Sequence, residues 1–189
     1  MAVAKRAPYV SVAEYLAYEK DSPIKHEYVD GQLFAMAGTS ANHNRIAGNL
    51  FNRLGEHLAD SPCEPFIADI KVMASETLFY YPDVVVACDP PEADPYVRRE
   101  PILVVEVSSP STERIDRNEK LTAYKRIKSL KEIILIAQDH VRIVVFRRQG
   151  DFWQSELLTS LNDELQLQSV DLTLSVAQVY RRVKFEEAE

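Results

Sequence analysis

The chain has 189 residues, 46% of them hydrophobic and 27% charged, a composition that supports one folded domain with a real core and argues against disorder except at the ends. No apolar run approaches the roughly 18 to 20 residues of a membrane span, and MAVAKRAPYV lacks the apolar centre of a secretory signal, so a cytoplasmic protein with no membrane association is expected. The formal net charge of −7 argues against a generic nucleic-acid coat protein, because phosphate binding is driven largely by Lys and Arg displacing counterions, but it leaves room for a local basic cleft.

Taken in order, Ser11 can cap a short helix over residues 12–20, with Glu14 completing a capping box and Asp21, Ser22 and Pro23 ending it. KHEYVDGQLFAM alternates around Asp30-Gly31, a two-residue hairpin signal that pairs residues 25–29 with 32–36. Alternation sets Glu27 on the side of Val29, which allows it to point inward; an outward Glu on an edge strand is the plain alternative. A helix over residues 40–59 follows, its core stripe formed by Ile46, Leu50, Phe51, Leu54 and Leu58. Asn42, His43, Asn44 and Arg45 open it, where ordinary capping competes with contact to a phosphate. Residues 66–74 read as a single strand. Cys63 and Cys88 form neither a CxxC pair nor a ligand-spaced set with histidines, so reduced core thiols are expected and a structural zinc site is excluded.

Val84 to Val86 and Ile102 to Val107 are too apolar for surface strands and read as strands buried on both faces. The stretch from Cys88 to Glu100, with Pro90, Pro91 and Pro95, joins them as a loop. SSPST ends the second run, and a helix from Thr112 to about Lys128 leads to an apolar strand at 132–137. That order is a βαβ unit, which requires parallel strands and a right-handed crossing. Residues 141–147 and 152–158 form a hairpin, Leu165 and Leu167 mark a short strand, and Ser175 caps a last helix over 176–183. One α/β domain with a mixed sheet and a core over about residues 10–183 accounts for the whole pattern.

Each buried run carries one carboxylate, Asp83 at the mouth of the first and Glu106 inside the second. An ionised carboxylate there costs several kcal/mol unless a cation or dense hydrogen bonding compensates it. If the two strands are antiparallel neighbours, Asp83 lies beside Glu106, and the pair raises its own pKa values unless a cation sits between; hard oxygen ligands of this kind suit Mg²⁺ or Mn²⁺. Lys120 lies two turns into the following helix and leans back toward the Glu106 strand, with an exposed Asp116–Lys120 pair as the alternative. Arg114, Arg117, Lys120, Lys125, Arg126, Lys128 and Lys131 make this segment basic, either as a solvated face or as a phosphate-facing one.

Pro82-Asp83 followed by Glu106-Val107-Ser108 resembles the PD-(D/E)xK nuclease superfamily. HEYVDGQ, ANHNRIAGNL, YPDVVVA, LVVEVSSPST and DRNEKLTAY together resemble the Uma-two family (domain of unknown function 820) of restriction-endonuclease-like proteins, over roughly residues 10 to 180. The resemblance implies a restriction-endonuclease-like fold, a central mixed β-sheet flanked by helices with an N-terminal helix and hairpin. It maps Glu27, Asp83 and Glu106 onto the family's acidic positions and Lys120 onto its helix lysine, with Tyr124 a further match. Ser108 stands where the superfamily motif has Lys, and Lys120 would replace that group. The implied function is a Mg²⁺- or Mn²⁺-dependent endonuclease acting on DNA. Asp83, Glu106 and the main-chain carbonyl of Val107 would hold the ion, and Glu27 would contribute through a second ion or a bound water. Nucleic acid is then the expected partner, with a homodimer by analogy to related folds. Two alternatives stand beside it: a nuclease fold kept as a non-catalytic binding or assembly module, and a phosphodiesterase for another substrate. Neither a GxSxG elbow nor a Cys–His pair supports a side-chain nucleophile.

Overall fold

The computed structural model describes residues 9–90, 94–108 and 116–185, without the side chains of 116–118. The N-terminal helix α1 (Val12–Asp21) begins with the expected capping box, in which Ser11 accepts from the Glu14 N–H and Glu14 accepts from the Ser11 N–H. Strands β1 (His26–Val29) and β2 (Gln32–Ala35) pair antiparallel around Asp30-Gly31, both at positive φ as this tight turn requires. Helix α2 (Ala41–His57) buries Ile46, Ala47, Leu50 and Leu54.

The single strand expected over 66–74 is two strands. β3 (Glu64–Ile67) ends at Ala68, whose φ of 55° turns the chain so that β4 (Lys71–Ser75) enters a different sheet. An alanine in the left-handed region leaves no mark in the hydrophobic pattern, which is why the break was not visible there. β5 (Leu78–Tyr80) follows, then β6 (Val84–Ala87). The expected loop after β6 contains a two-residue strand, β7 (Val97–Arg98), and β8 (Pro101–Ser108) completes the buried pair. Helix α3 (Asp116–Arg126) leads to β9 (Glu132–Ala137); its expected start at Thr112 lies outside the described residues. β10 (Ile143–Gln149) and β11 (Phe152–Leu158) form the expected hairpin. β12 (Glu164–Leu167) pairs with an unforeseen β13 (Leu172–Ser175), and the last helix α4 (Val176–Val179) is one turn long rather than two. Among the described residues no helix is long and apolar enough to cross a membrane.

The central mixed sheet has six strands in the order β11-β10-β9-β8-β6-β3, with β8 and β9 parallel as the βαβ pattern requires. A second sheet, β2-β1-β5-β4-β7, carries the N-terminal hairpin. Period-two alternation explains why the central strands are apolar throughout. Val84, Val86, Leu103, Val105, Ile134 and Ile136 face α2, α4 and the β12–β13 hairpin. Val85, Val104, Ile133 and Leu135 face the other way, onto Tyr124 of α3, Ile127 just after it and Tyr80 of the second sheet. Burying each such aliphatic side chain contributes about 1.5–3 kcal/mol.

The reduced thiols expected at Cys63 and Cys88 are instead a disulfide. β3 and β6 are antiparallel neighbours with Glu64 opposite Ala87, so the residues flanking that rung face one another. The contact spans 25 residues of sequence and has no local motif. Closing a loop of that size stabilises a fold by about 2–4 kcal/mol. Reductant or Cys63→Ser should therefore lower the urea midpoint of the oxidised protein; identical midpoints would show that the bond adds nothing.

Candidate active site

The antiparallel ladder of β6 and β8 sets Val84 against Val105, which places Asp83, one residue before β6, level with Glu106. On β8, Glu106 shares the face of Val104 and so looks toward α3. There the Tyr124 hydroxyl donates to Glu106 Oε1 at 2.6 Å. Asp83 Oδ2 accepts the Val107 N–H at 2.7 Å and lies 3.2 Å from His43 Nε2. Lys120, one turn before Tyr124 on α3, brings its Nζ to 2.5 Å from Glu27 Oε1 and 3.9 Å from Glu106 Oε1. Glu27 Oε1 also accepts the Tyr81 N–H at 3.4 Å.

The four residues singled out in the sequence, Glu27, Asp83, Glu106 and Lys120, thus line one cavity of about 510 Å³, with Val107 beside them. Glu27 does point inward. Lys120 takes Glu27 as its partner; the Asp116 side chain lies outside the described residues. Ser108 lines the cavity but carries no charge, and its hydroxyl donates to the Ile136 carbonyl at 3.4 Å. Of the proposed phosphate contacts, Arg114 and the Arg117 side chain are outside the described residues. Lys125 does not line the cavity; its Nζ sits 4.4 Å from the centre of the Phe146 ring.

His43 is the residue the sequence reading placed least well, as a cap or a flanking phosphate contact. Its backbone N–H does serve the Ser40 cap, while its ring turns inward to Asp83. One signal was available: His43 precedes Ile46, Ala47 and Leu50 by three, four and seven residues, the spacing of the buried stripe.

Electrostatically the site is acid-rich. Burial, together with the charges of Asp83 and Glu27, pushes Glu106 up to about 7, against the opposing pull of Lys120 and the Tyr124 hydrogen bond. Burial would lower Lys120, but Glu106 and Glu27 outweigh it and hold the ammonium above its usual range. Burial would likewise lower His43, and the hydrogen bond and charge of Asp83 raise it instead. Tyr124, buried beside Glu106, is raised well above 10 and remains a donor.

A pH dependence follows for the protein stripped of divalent ions. A Glu106 raised above its ordinary 4.5 contributes stability that is fully present below that value and lost as pH rises through about 7. Lys120, raised in turn, keeps its contribution throughout this window. Unfolding free energy should fall by on the order of 2–3 kcal/mol between pH 4.5 and 8 from this group alone, and Glu106→Gln should flatten that slope in urea titrations with EDTA.

The donor set can be tested for a metal on its oxygens. Both donors to Asp83 converge on Oδ2, both contacts to Glu106 on Oε1, and both to Glu27 on Oε1. Among the described residues Asp83 Oδ1, Glu106 Oε2 and Glu27 Oε2 therefore have no protein partner. Three half-engaged carboxylates around one ammonium fit a hard divalent cation. Among the described residues no three His, Cys, Asp or Glu groups already stand at ligand spacing, since Lys120 occupies the place between Glu27 and Glu106.

The family model described as Uma2, "Putative restriction endonuclease", matches residues 12–177. The chain belongs to the Uma2 family. It is 37% identical over 181 residues to uncharacterized protein slr1290 of Synechocystis sp. (strain ATCC 27184 / PCC 6803 / Kazusa), covering 94% of this chain and 95% of that protein. Uncharacterized protein sll1609 of the same organism is 33% identical over 168 residues, covering 87% and 94%. In fold the chain is similar to the crystal structure of a "putative nuclease belonging to DUF820" from Anabaena variabilis ATCC 29413, with a TM-score of 0.76, 14% identity, and 90% and 97% of the two chains covered. The restriction-endonuclease-like α/β fold expected of the family is the fold observed. Asp83, Glu106 and Lys120 all lie inside the family-matched segment, as does Glu27.

Proposed function

We propose that this Uma2 protein is a Mg²⁺- or Mn²⁺-dependent endonuclease that hydrolyses DNA phosphodiester bonds. The observation that carries the reading is the convergence of Asp83, Glu106, Glu27 and Lys120 on one cavity, with one free oxygen on each carboxylate. Asp83, Glu106 and the Val107 carbonyl would hold the ion, with Glu27 acting through a bound water or a second ion. Such an ion, when bound, polarises the scissile phosphate and lowers the pKa of an attacking water. The chain's own part is positional and electrostatic. The Val107 N–H and His43 fix Asp83, Tyr124 fixes Glu106, and Lys120 holds a positive charge where the phosphoryl oxygens gain negative charge.

Incubating supercoiled plasmid with the protein and Mg²⁺ or Mn²⁺ should give nicked and linear products that EDTA prevents. Calorimetry should show ion uptake by the wild type; neither uptake nor cleavage would remove the proposal. A second reading is favoured by two observations, Ser108 in place of the motif lysine and Lys120 seated between the acids. In it the fold is kept as a binding module, and DNA retention without any cleavage would establish it.

A further inference from the structure

We infer, on the basis of the nuclease reading above, that the site accepts a DNA strand with an unpaired nucleotide beside the scissile phosphate, and discriminates against continuous duplex. The wall next to the carboxylates is apolar and aromatic. In the β1–β2 ladder Phe34 is the direct partner of Glu27, so the Phe34 ring and the Glu27 carboxylate lie on one face of the hairpin. Val29, two residues from Glu27, shares that face, and Leu121 closes the cavity from α3 beside Lys120. Phe34 is nonetheless 50% exposed, a large hydrophobic ring left open at a cavity of about 510 Å³. That volume lies in the range of small-ligand pockets and suits one nucleotide, whereas a duplex presents its bases stacked and out of reach.

The remaining lining agrees. The segment Ala37 to Thr39 runs along the cavity, and its backbone N–H groups donate to nothing among the described residues, which leaves them for the edge of a base. Continuous duplex, by contrast, is gripped by rows of Lys and Arg along its phosphates. Among the described lining residues Lys120 is the only Lys or Arg, facing Glu27, Asp83, Glu106 and Glu119. This wall then attracts the strand through base–aromatic stacking, which is indifferent to sequence.

The test combines binding and hydrolysis with three DNAs of one sequence: single strand, continuous duplex, and duplex with one unpaired nucleotide, each carrying 2-aminopurine at the reporting position. With Ca²⁺ in place of Mg²⁺, the single strand and the unpaired site should bind at least about tenfold more tightly than the duplex, with a change in 2-aminopurine fluorescence on stacking. Phe34→Ala should lose about tenfold in that affinity and Phe34→Trp should keep it, and Phe34, being exposed, should tolerate either change without loss of fold. Equal affinity for all three DNAs, or equal binding by the Phe34→Ala and Phe34→Trp proteins, overturns the inference. In the hydrolysis arm with Mg²⁺ or Mn²⁺, equal cleavage of continuous duplex overturns it while leaving the nuclease reading intact. Selective binding without cleavage in either ion supports it and overturns the nuclease reading instead.

Discussion

Asp83→Ala and Glu106→Ala should each reduce Mg²⁺-dependent DNA cleavage by at least about a thousandfold. The two acids come from adjacent strands, and either truncation removes a free carboxylate oxygen while leaving its partner pinned by Val107 or Tyr124. Glu106→Gln is the sharper comparison. It keeps the shape and the acceptor for the Tyr124 hydroxyl, so an equally large loss would assign the effect to charge. Lys120→Met should fall between, at about a hundredfold, because it removes one charge without removing a ligand oxygen. Single-turnover cleavage rates measure all of these, and wild-type rates in Asp83→Ala or Glu106→Ala would disprove the assignment.

The largest loss of stability is expected far from the cavity, at Glu132. This side chain is 1% exposed at the start of β9. Its carboxylate accepts the Arg147 Nε–H at 3.0 Å, the Gln168 N–H at 3.1 Å and the Ser169 N–H at 2.7 Å. It thereby ties the turn between β12 and β13 to the central sheet, while Arg147 reaches on to the Gln166 carbonyl and Glu156. Glu132→Ala would leave a largely buried guanidinium with the half-exposed Glu156 as its remaining counter-charge, and the part-buried hydrogen bonds of the Gln168 and Ser169 N–H groups without their acceptor. The cost is about 3–5 kcal/mol, read as a drop in the urea midpoint. An unchanged midpoint would mean that water satisfies those groups, and a fully folded Glu132→Ala protein should retain the cleavage activity, since the residue does not touch the cavity.

What could be read in the sequence followed from local periodicity. The runs around Val85 and Val104 lack alternation because both faces are covered, one by α2 and one by α3, and that pattern alone located the central strands. Once those strands are antiparallel neighbours, Asp83 must meet Glu106, so the heart of the site needed no long-range information. The contacts that were not legible depend on residues remote in sequence. Ala68 in a left-handed conformation, the Cys63–Cys88 bond, the grip of Glu132 on residues 168 and 169, and the inward ring of His43 are all decided by packing of distant segments. Glu27 lay in between: alternation permitted the inward face, but only the meeting of the two sheets gave it Lys120 as a partner.

The way the carboxylates are held has a consequence for the size of ion they would welcome. With Asp83 anchored through Oδ2 to a main-chain N–H and Glu106 through Oε1 to a buried phenol, neither group is free to swing round and clasp with both oxygens. Calcium reaches six to eight oxygens often with the help of one such two-handed carboxylate, whereas magnesium takes single oxygens at short range and retains much of its own hydration. A pair of one-handed supports would therefore lean toward the smaller guest.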